Sequence, residues 1–361
     1  MSDYSFLLVI LGYSLLLIAS LQAHFILERN INSEPADPSE VGPCYLLFFI
    51  GCSLIVGGIG IRPDEVGTDT FVYADQFDAV ASGAEELSDQ ELLYRSLVKS
   101  LAFARSREVL FLAVAAVFVW GYIFAARKLY FGLEVIILFF IWVSTPFFWA
   151  LATNIIRQGV ATVFVLGSLI ALQQNRRGAF LVNGVVALGF HLSSLIFLGV
   201  AVLSRYVNLR VLHFIWLGST MLPLFMDPTF FFVPAANRLG LDRYVENYTV
   251  GGPGDYEVGF KLRFVLFSAI PLLVYWLGGV SPEKREKTDF LVKAYLAINA
   301  FACLCFHIPF HDRVFQMSWS LLPFILYPVI PAGGPKRIAA IVAIAVIGFV
   351  MTCDAWTTVN P

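Results

Sequence analysis

The sequence predicts an all-α polytopic integral membrane protein, and three observations carry that prediction. Of the 361 residues, 58% are hydrophobic, and the mean hydropathy is +0.77. Only 14% are charged, against about 25% in a soluble globular domain. Apolar stretches recur near the length of about 20 residues that crosses a hydrocarbon core of about 30 Å. Backbone in lipid must satisfy its own hydrogen bonds, so these stretches are helices, and the alternation of a membrane barrel is absent.

In chain order the apolar runs fall near residues 4–27, 45–61, 108–126, 129–149, 155–172, 179–204, 211–229, 264–280, 290–309, 314–331 and 338–355. The first lacks the basic start of a cleaved signal and is long for an apolar signal core, so it reads as a retained span. The whole chain reads as one transmembrane domain, residues 1–361, with about 11 or 12 crossings. Two long polar segments, 62–107 and 230–263, read as large loops on one face. Within the first, Leu87, Leu92, Leu93, Leu97 and Leu101 recur at near-helical spacing, which predicts an amphipathic helix on the membrane surface. No internal repeat is visible.

Orientation follows from Lys and Arg in short loops, which stay mostly cytoplasmic. If every run is a simple crossing, the basic residues split almost evenly. If the run 179–204 turns back near "GFHLSS" as a helical hairpin, twelve of them (Arg29, Arg127, Lys128, Arg176, Arg177, Arg205, Arg210, Lys284, Arg285, Lys287, Lys336 and Arg337) share one side. Only Arg157 and Arg313 remain in short loops opposite. A single span of atypical topology is the alternative. The hairpin reading also gathers the acidic loop, Arg157, His191 and "HDR" (311–313) on one non-cytoplasmic face.

A net charge of −2 and the lack of a basic tract argue against nucleic acid. The five cysteines lie in or beside apolar runs and read as packed thiols. No phosphate-binding glycine loop, nucleophile elbow or metalloprotease helix is present. His311 beside Asp312 lacks a clear third ligand, so no metal is expected, and no cofactor either.

The residues able to carry chemistry are few. "NIIRQGVA" sets Arg157 at the mouth of a span, where a charge lines a cavity, finds a partner or snorkels. "FHLSSL" places His191, Ser193 and Ser194 in an apolar run, where a histidine more often serves helix packing. "FHIPFHDRVFQMSW" places His311, Asp312 and Arg313 between two runs, where an interhelical turn explains them nearly as well. Arginines offer forked donors to diphosphate oxygens, and a carboxylate or histidine can take a proton from a sugar hydroxyl. Together they match the needs of glycosyl transfer from a polyprenyl diphosphate.

The ordered set "GTDTFVYADQF" (67–77), "QELLYRSL" (90–97), "IRQGVA" (156–161), "FHLSSL" (190–195) and "HDRVFQMSW" resembles the EpsG family of Wzy-like bacterial polysaccharide polymerases. The resemblance implies a GT-C-like helical bundle in the bacterial inner membrane, with its site facing the periplasm or cell exterior. It implies joining of undecaprenyl-diphosphate-linked oligosaccharide repeats into O-antigen, capsule or exopolysaccharide, with diphosphate as leaving group. Membrane lipid, a chain-length regulator and a flippase of the same pathway are the implied partners.

Among candidate bases Asp69 comes first, then Glu91 and His191; each also has a structural reading, Asp69 as a turn or cap residue and Glu91 as the polar face of a surface helix. Arg157 and Arg313 are the candidates for diphosphate stabilisation. Thr68, Tyr73, Gln158, Ser193, Ser194, His311 and Asp312 are the expected substrate contacts. Arg243 and Arg263 in the second polar loop are candidates for acceptor sugar or headgroup phosphate. Rival readings are an O-antigen ligase or other membrane transferase, a lipid-linked oligosaccharide flippase, and a non-enzymatic export scaffold.

Overall fold

The computed structural model describes residues 2–31, 38–84, 87, 90–228, 230, 258–330 and 334–357. All regular structure among them is helical. The chain forms two compact units, residues 1–195 with 330–361, and residues 196–329.

The first unit is built from five long apolar helices: α1 (Ser2–Ile31), α2 (Pro38–Gly60), α5 (Arg107–Ala126), α8 (Ile156–Gln173) and α16 (Pro335–Thr357). Each is long and apolar enough to cross a bilayer. Between them lie the short helices α3 (Thr70–Ala81) and α4 (Leu92–Leu101), then α6 (Leu133–Val143), α7 (Pro146–Trp149) and α9 (Arg177–Phe190). α10 (Ser194–Ser204) runs across the boundary between the units.

Several contacts set the helix directions. α2 runs antiparallel to α1, with the Cys44 thiol donating to the Ala19 carbonyl near one end and Gly58 packing on Ser5 and Val9 near the other. α5 reverses again, since Gly60 at the end of α2 meets Leu112 near the start of α5, while Phe49 meets Trp120. α8 runs parallel to α5. Ile156 and Val160 share a cluster with Leu110, Phe111 and Val114, and the Gln174 amide donates to the Lys128 carbonyl at the far end. The end of α2, the starts of α5 and α8 and the end of α9 therefore come together at one end of the unit.

Five described helices are long and apolar enough to span a bilayer, or six with one bent pair. The other apolar runs fold as shorter helices, and α13 (Pro282–Leu304) spends its first turns on charged residues. Hydropathy registers the greasiness of these runs and not where they break. The sharp break also lies at an unexpected place. α6 and the α7 segment bend by 81° at Ser144–Thr145. Pro146 lacks the N–H that would continue α6, and Thr145 caps the new helix by accepting from Phe148 N at 3.3 Å. The run 179–204 breaks at 191–193 into two short helices, at the place where the hairpin reading puts its turn.

The predicted amphipathic helix is α4, whose Leu97 and Leu101 are partly buried while Leu92 is 61% exposed. Tyr94 and Val98 are buried with Tyr73 and Phe77 of α3 against α5 and α8.

The second unit holds α11 (Leu209–Met221), α12 (Leu262–Leu277), α13, α14 (His311–Trp319) and α15 (Leu322–Leu326). It is pinned by a buried polar network. Asn299 donates to Ser268 and Ser318 hydroxyls, each at 2.9 Å, and accepts from Trp216 at 2.8 Å. In apolar surroundings such bonds fix helix register.

Candidate active site

The site forms where four chain segments meet at one end of the first unit. α4 begins with Glu91 at its N-cap, but the Glu91 side chain makes no cap bond to its own helix. It turns instead toward α8 and α9. Arg157, in the first turn of α8, sets Nη1 2.6 Å from Glu91 Oε2. The same nitrogen also donates to Gln90 Oε1. α9 ends at Phe190, and His191 takes an extended conformation (φ −159°, ψ 112°). That turn aims His191 Nδ1 at Glu91 Oε1, 3.2 Å away, with the Leu192 N–H donating to the same oxygen at 3.4 Å. Gly189 makes the approach possible, since a Cβ there would lie 2.5 Å from Leu93.

Burial opposes ionisation of Glu91, but the His191 hydrogen bond and the Arg157 charge outweigh it and hold the carboxyl down at about 2. A carboxylate so ionised only accepts. His191 Nδ1 therefore carries the hydrogen in this pair, which leaves Nε2 able to accept a proton. Tyr73 hydrogen-bonds Arg157, and the guanidinium sits over the Tyr94 ring at 5.6 Å. Arg157 Nε is buried without a protein acceptor.

A second assembly carries the acidic loop. Arg62, 4% exposed, lies two residues beyond the end of α2. Its guanidinium donates to the Ile59 carbonyl at 2.8 Å, the Thr153 carbonyl at 3.1 Å and the Thr70 hydroxyl at 3.4 Å, and lies 4.1 Å from the Phe111 ring centre. Burial pulls it down to about 9, so it remains a cation at neutral pH. The carbonyl and side chain that hold the loop come from a π-helical turn, Ala150–Asn154, just before α8; such turns free backbone groups from the regular ladder. Asn154 Oδ1 accepts from the Thr68 hydroxyl at 2.5 Å and from Asp69 N at 2.8 Å. Gly67 has φ +92°, and a Cβ there would meet the Thr153 carbonyl at 2.9 Å; only glycine suits that combination.

Asp69 is the N-cap residue of α3, with no side-chain cap bond, and its backbone is what Asn154 holds. Glu91, His191, Arg157 and Tyr73 are thus brought together, while Asp69 and Thr68 are anchored three residues before Arg157. Gln158 is buried beside Arg157 on α8, Ser193 is half-buried after His191, and Ser194 is buried with its hydroxyl unpartnered.

In the second unit, His311 is 1% exposed and ringed by Phe264 and Phe306, with Nδ1 3.1 Å from the Ile308 carbonyl. Burial holds it below the usual histidine range, so at neutral pH it brings no charge to a phosphate. Arg313 lies over Phe310 at 4.5 Å, and Asp312 shares its helical turn. Arg263 is exposed over Phe264 at 5.2 Å. Arg243 lies outside the described residues, as does most of the 230–263 loop. Among the described residues, no three metal-ligating side chains converge.

Sequence reasoning passed over Arg62, Gln90, Tyr94 and Asn154. A signal existed for Arg62: it is a charge directly abutting an apolar run, the feature that singled out Arg157. Gln90 and Asn154 stood inside quoted motifs, but only the fold shows which neighbour reaches the site.

Fold and site define a polytopic helical membrane protein with a charged, hydrogen-bonded cluster at one end of its spans. The chain belongs to the EpsG family, whose sequence pattern matches residues 45–361. Membership suggests a membrane protein of polysaccharide-polymerase type. No curated protein and no solved structure matches the chain.

Proposed function

We propose that this chain is a GT-C-type polymerase that joins undecaprenyl-diphosphate-linked oligosaccharide units at the outer side of a bacterial inner membrane. The observation that carries the reading is the ionised Glu91 held between His191 and Arg157. The acceptor sugar hydroxyl attacks the anomeric carbon of the donor chain. The bond from that carbon to the diphosphate oxygen breaks, and the lipid diphosphate leaves with the electron pair. The hydroxyl proton passes to His191 Nε2, and Glu91 stabilises the imidazolium and fixes its orientation. Arg157 supplies fork donors to the diphosphate as its charge grows. Arg313 is a second cation for the same ligand class. Thr68, Asp69, Gln158 and Ser193 serve as polar contacts for sugar or phosphate.

The test is the product ladder formed by the purified protein from lipid-linked repeat units of its source strain. Wild type should give a ladder. His191→Gln should lose it and Arg157→Lys should form it about 10²-fold more slowly, both eluting as folded protein. No ladder from wild type with authentic substrate sinks the polymerase reading, and a ladder at the wild-type rate from both variants sinks the site.

A further inference from the structure

The opposite end of the same helices carries a different kind of cavity. It has a volume of about 690 Å³ and is lined by Tyr45, Phe49, Trp120, Phe124, Arg127 and Ile136, among others. These residues come from the beginning of α2, the end of α5 and the beginning of α6. The Glu91 site sits at the end of α2 and the start of α5. Twenty residues separate Arg107 from Arg127, which at about 1.5 Å per residue sets the two roughly 30 Å apart along α5. That is about the thickness of a hydrocarbon core, so the cavity opens near the other membrane face.

Its walls are aromatic and its rim is basic. Phe49 and Phe124 are 57% and 67% exposed, so the cavity opens outward between spans, where lipid chains lie. Phe49 packs on Trp120 at 5.2 Å. Arg127 closes one end of the lining and follows the last residue of α5. Lys128 stands beside it with Nζ 5.1 Å from the Phe124 ring centre. The Gln174 bond to the Lys128 carbonyl draws the end of α8 toward the same rim, and Arg176 lies close enough to act electrostatically on Lys128. Arg177 begins α9 next to it. Glu134, in the first turn of α6, accepts the Phe131 N–H at 3.4 Å.

An apolar slot open to lipid and ending at clustered cations fits one ligand class. We propose that this cavity binds an anionic phospholipid of the membrane face opposite the Glu91 site, with an acyl chain against Phe49, Trp120 and Phe124 and its phosphate at Arg127 and Lys128. The volume falls within the range of about 300–1,000 Å³ usual for small-molecule sites. Basic clusters near a membrane surface favour anionic lipid. The site is separate from the polymerase reading and stands without it.

Trp120 provides the probe. The full-length protein would be placed in nanodiscs containing phosphatidylglycerol or phosphatidylcholine with brominated chains, which quench nearby tryptophan. The chain has seven tryptophans, so the Trp120 signal is taken as wild type minus Trp120→Phe. Brominated phosphatidylglycerol should reach half-quenching at a mole fraction lower by about fivefold or more, the factor expected of one phosphate–cation contact near the surface. The paired change Arg127→Gln with Lys128→Gln should erase the difference. Equal quenching by both lipids means ordinary boundary lipid and overturns the proposal. So does no quenching by either, or a preference that survives in the folded double variant. If the double variant does not fold, the wild-type comparison decides alone.

Discussion

Arg157 and Arg313 hold similar places in the sequence, each in the first turn of a helix that follows a polar break. Their surroundings differ. Arg157 meets a carboxylate 66 residues earlier in the chain at 2.6 Å, and through it a histidine. Arg313 lies against Phe310, next to a histidine buried among aromatic rings. The lesson is that two arginines in similar helix positions differ by what the fold brings to them. In the first unit distant segments deliver a carboxylate and a histidine. In the second the neighbouring Phe310 supports the cation.

The strongest way to break this comparison is Glu91→Gln. The amide keeps the shape but loses the charge that orients His191, so polymerisation should fall by about 10³-fold in the ladder assay. An active Glu91→Gln would remove the distinction between the two arginines.

Arg157→Lys comes next. It keeps the charge and discards the fork, and should lower the rate by about 10²-fold. Arg313→Lys on the same preparation should cost less than about tenfold, because charge is what its setting offers. Equal losses would show that both arginines serve alike.

Acid sharpens the contrast through stability. The Glu91 pKa is lowered on folding from 4.5 to about 2. Its contribution, up to about 3 kcal/mol, is therefore complete above pH 4.5 and disappears as pH falls toward 2. Melting of the detergent-solubilised protein should show this loss across that window, and Glu91→Gln should lose that part of the slope. A variant that keeps the full wild-type slope would detach the Glu91 pair from folding. In the same assay, Arg62→Met should lower stability by about 2 kcal/mol at pH 7, since it removes the donor to the Ile59 carbonyl and one of the two donors to the Thr153 carbonyl. An unchanged melt would show that the loop does not depend on Arg62.

Asp69→Asn should give the smallest effect, less than about tenfold on the ladder, because asparagine also serves at an N-cap. A loss larger than that of Glu91→Gln would move the proton acceptor back to Asp69, the first candidate from sequence.

Much of this was legible without a fold. "IRQGVA", "FHLSSL" and "QELLYRSL" named three of the four segments that meet at the site, and the leucine spacing of 87–101 predicted α4. What stayed hidden has one cause. Leu92 is exposed while Tyr94 is buried, and which side of α4 faces protein depends on α5 and α8, not on α4. The Glu91 pair was hidden for the same reason, since nothing local to Glu91 announces His191 a hundred residues later.

By itself the sequence determined that this chain is a helical membrane protein of the EpsG family, because hydropathy and short motifs are sums over neighbouring residues. Tertiary structure alone decided that Glu91 sits between Arg157 and His191, that Arg62 holds the acidic loop, and where the apolar runs break. Those outcomes depend on helix direction and close approach, which are set by contacts between residues far apart in the chain.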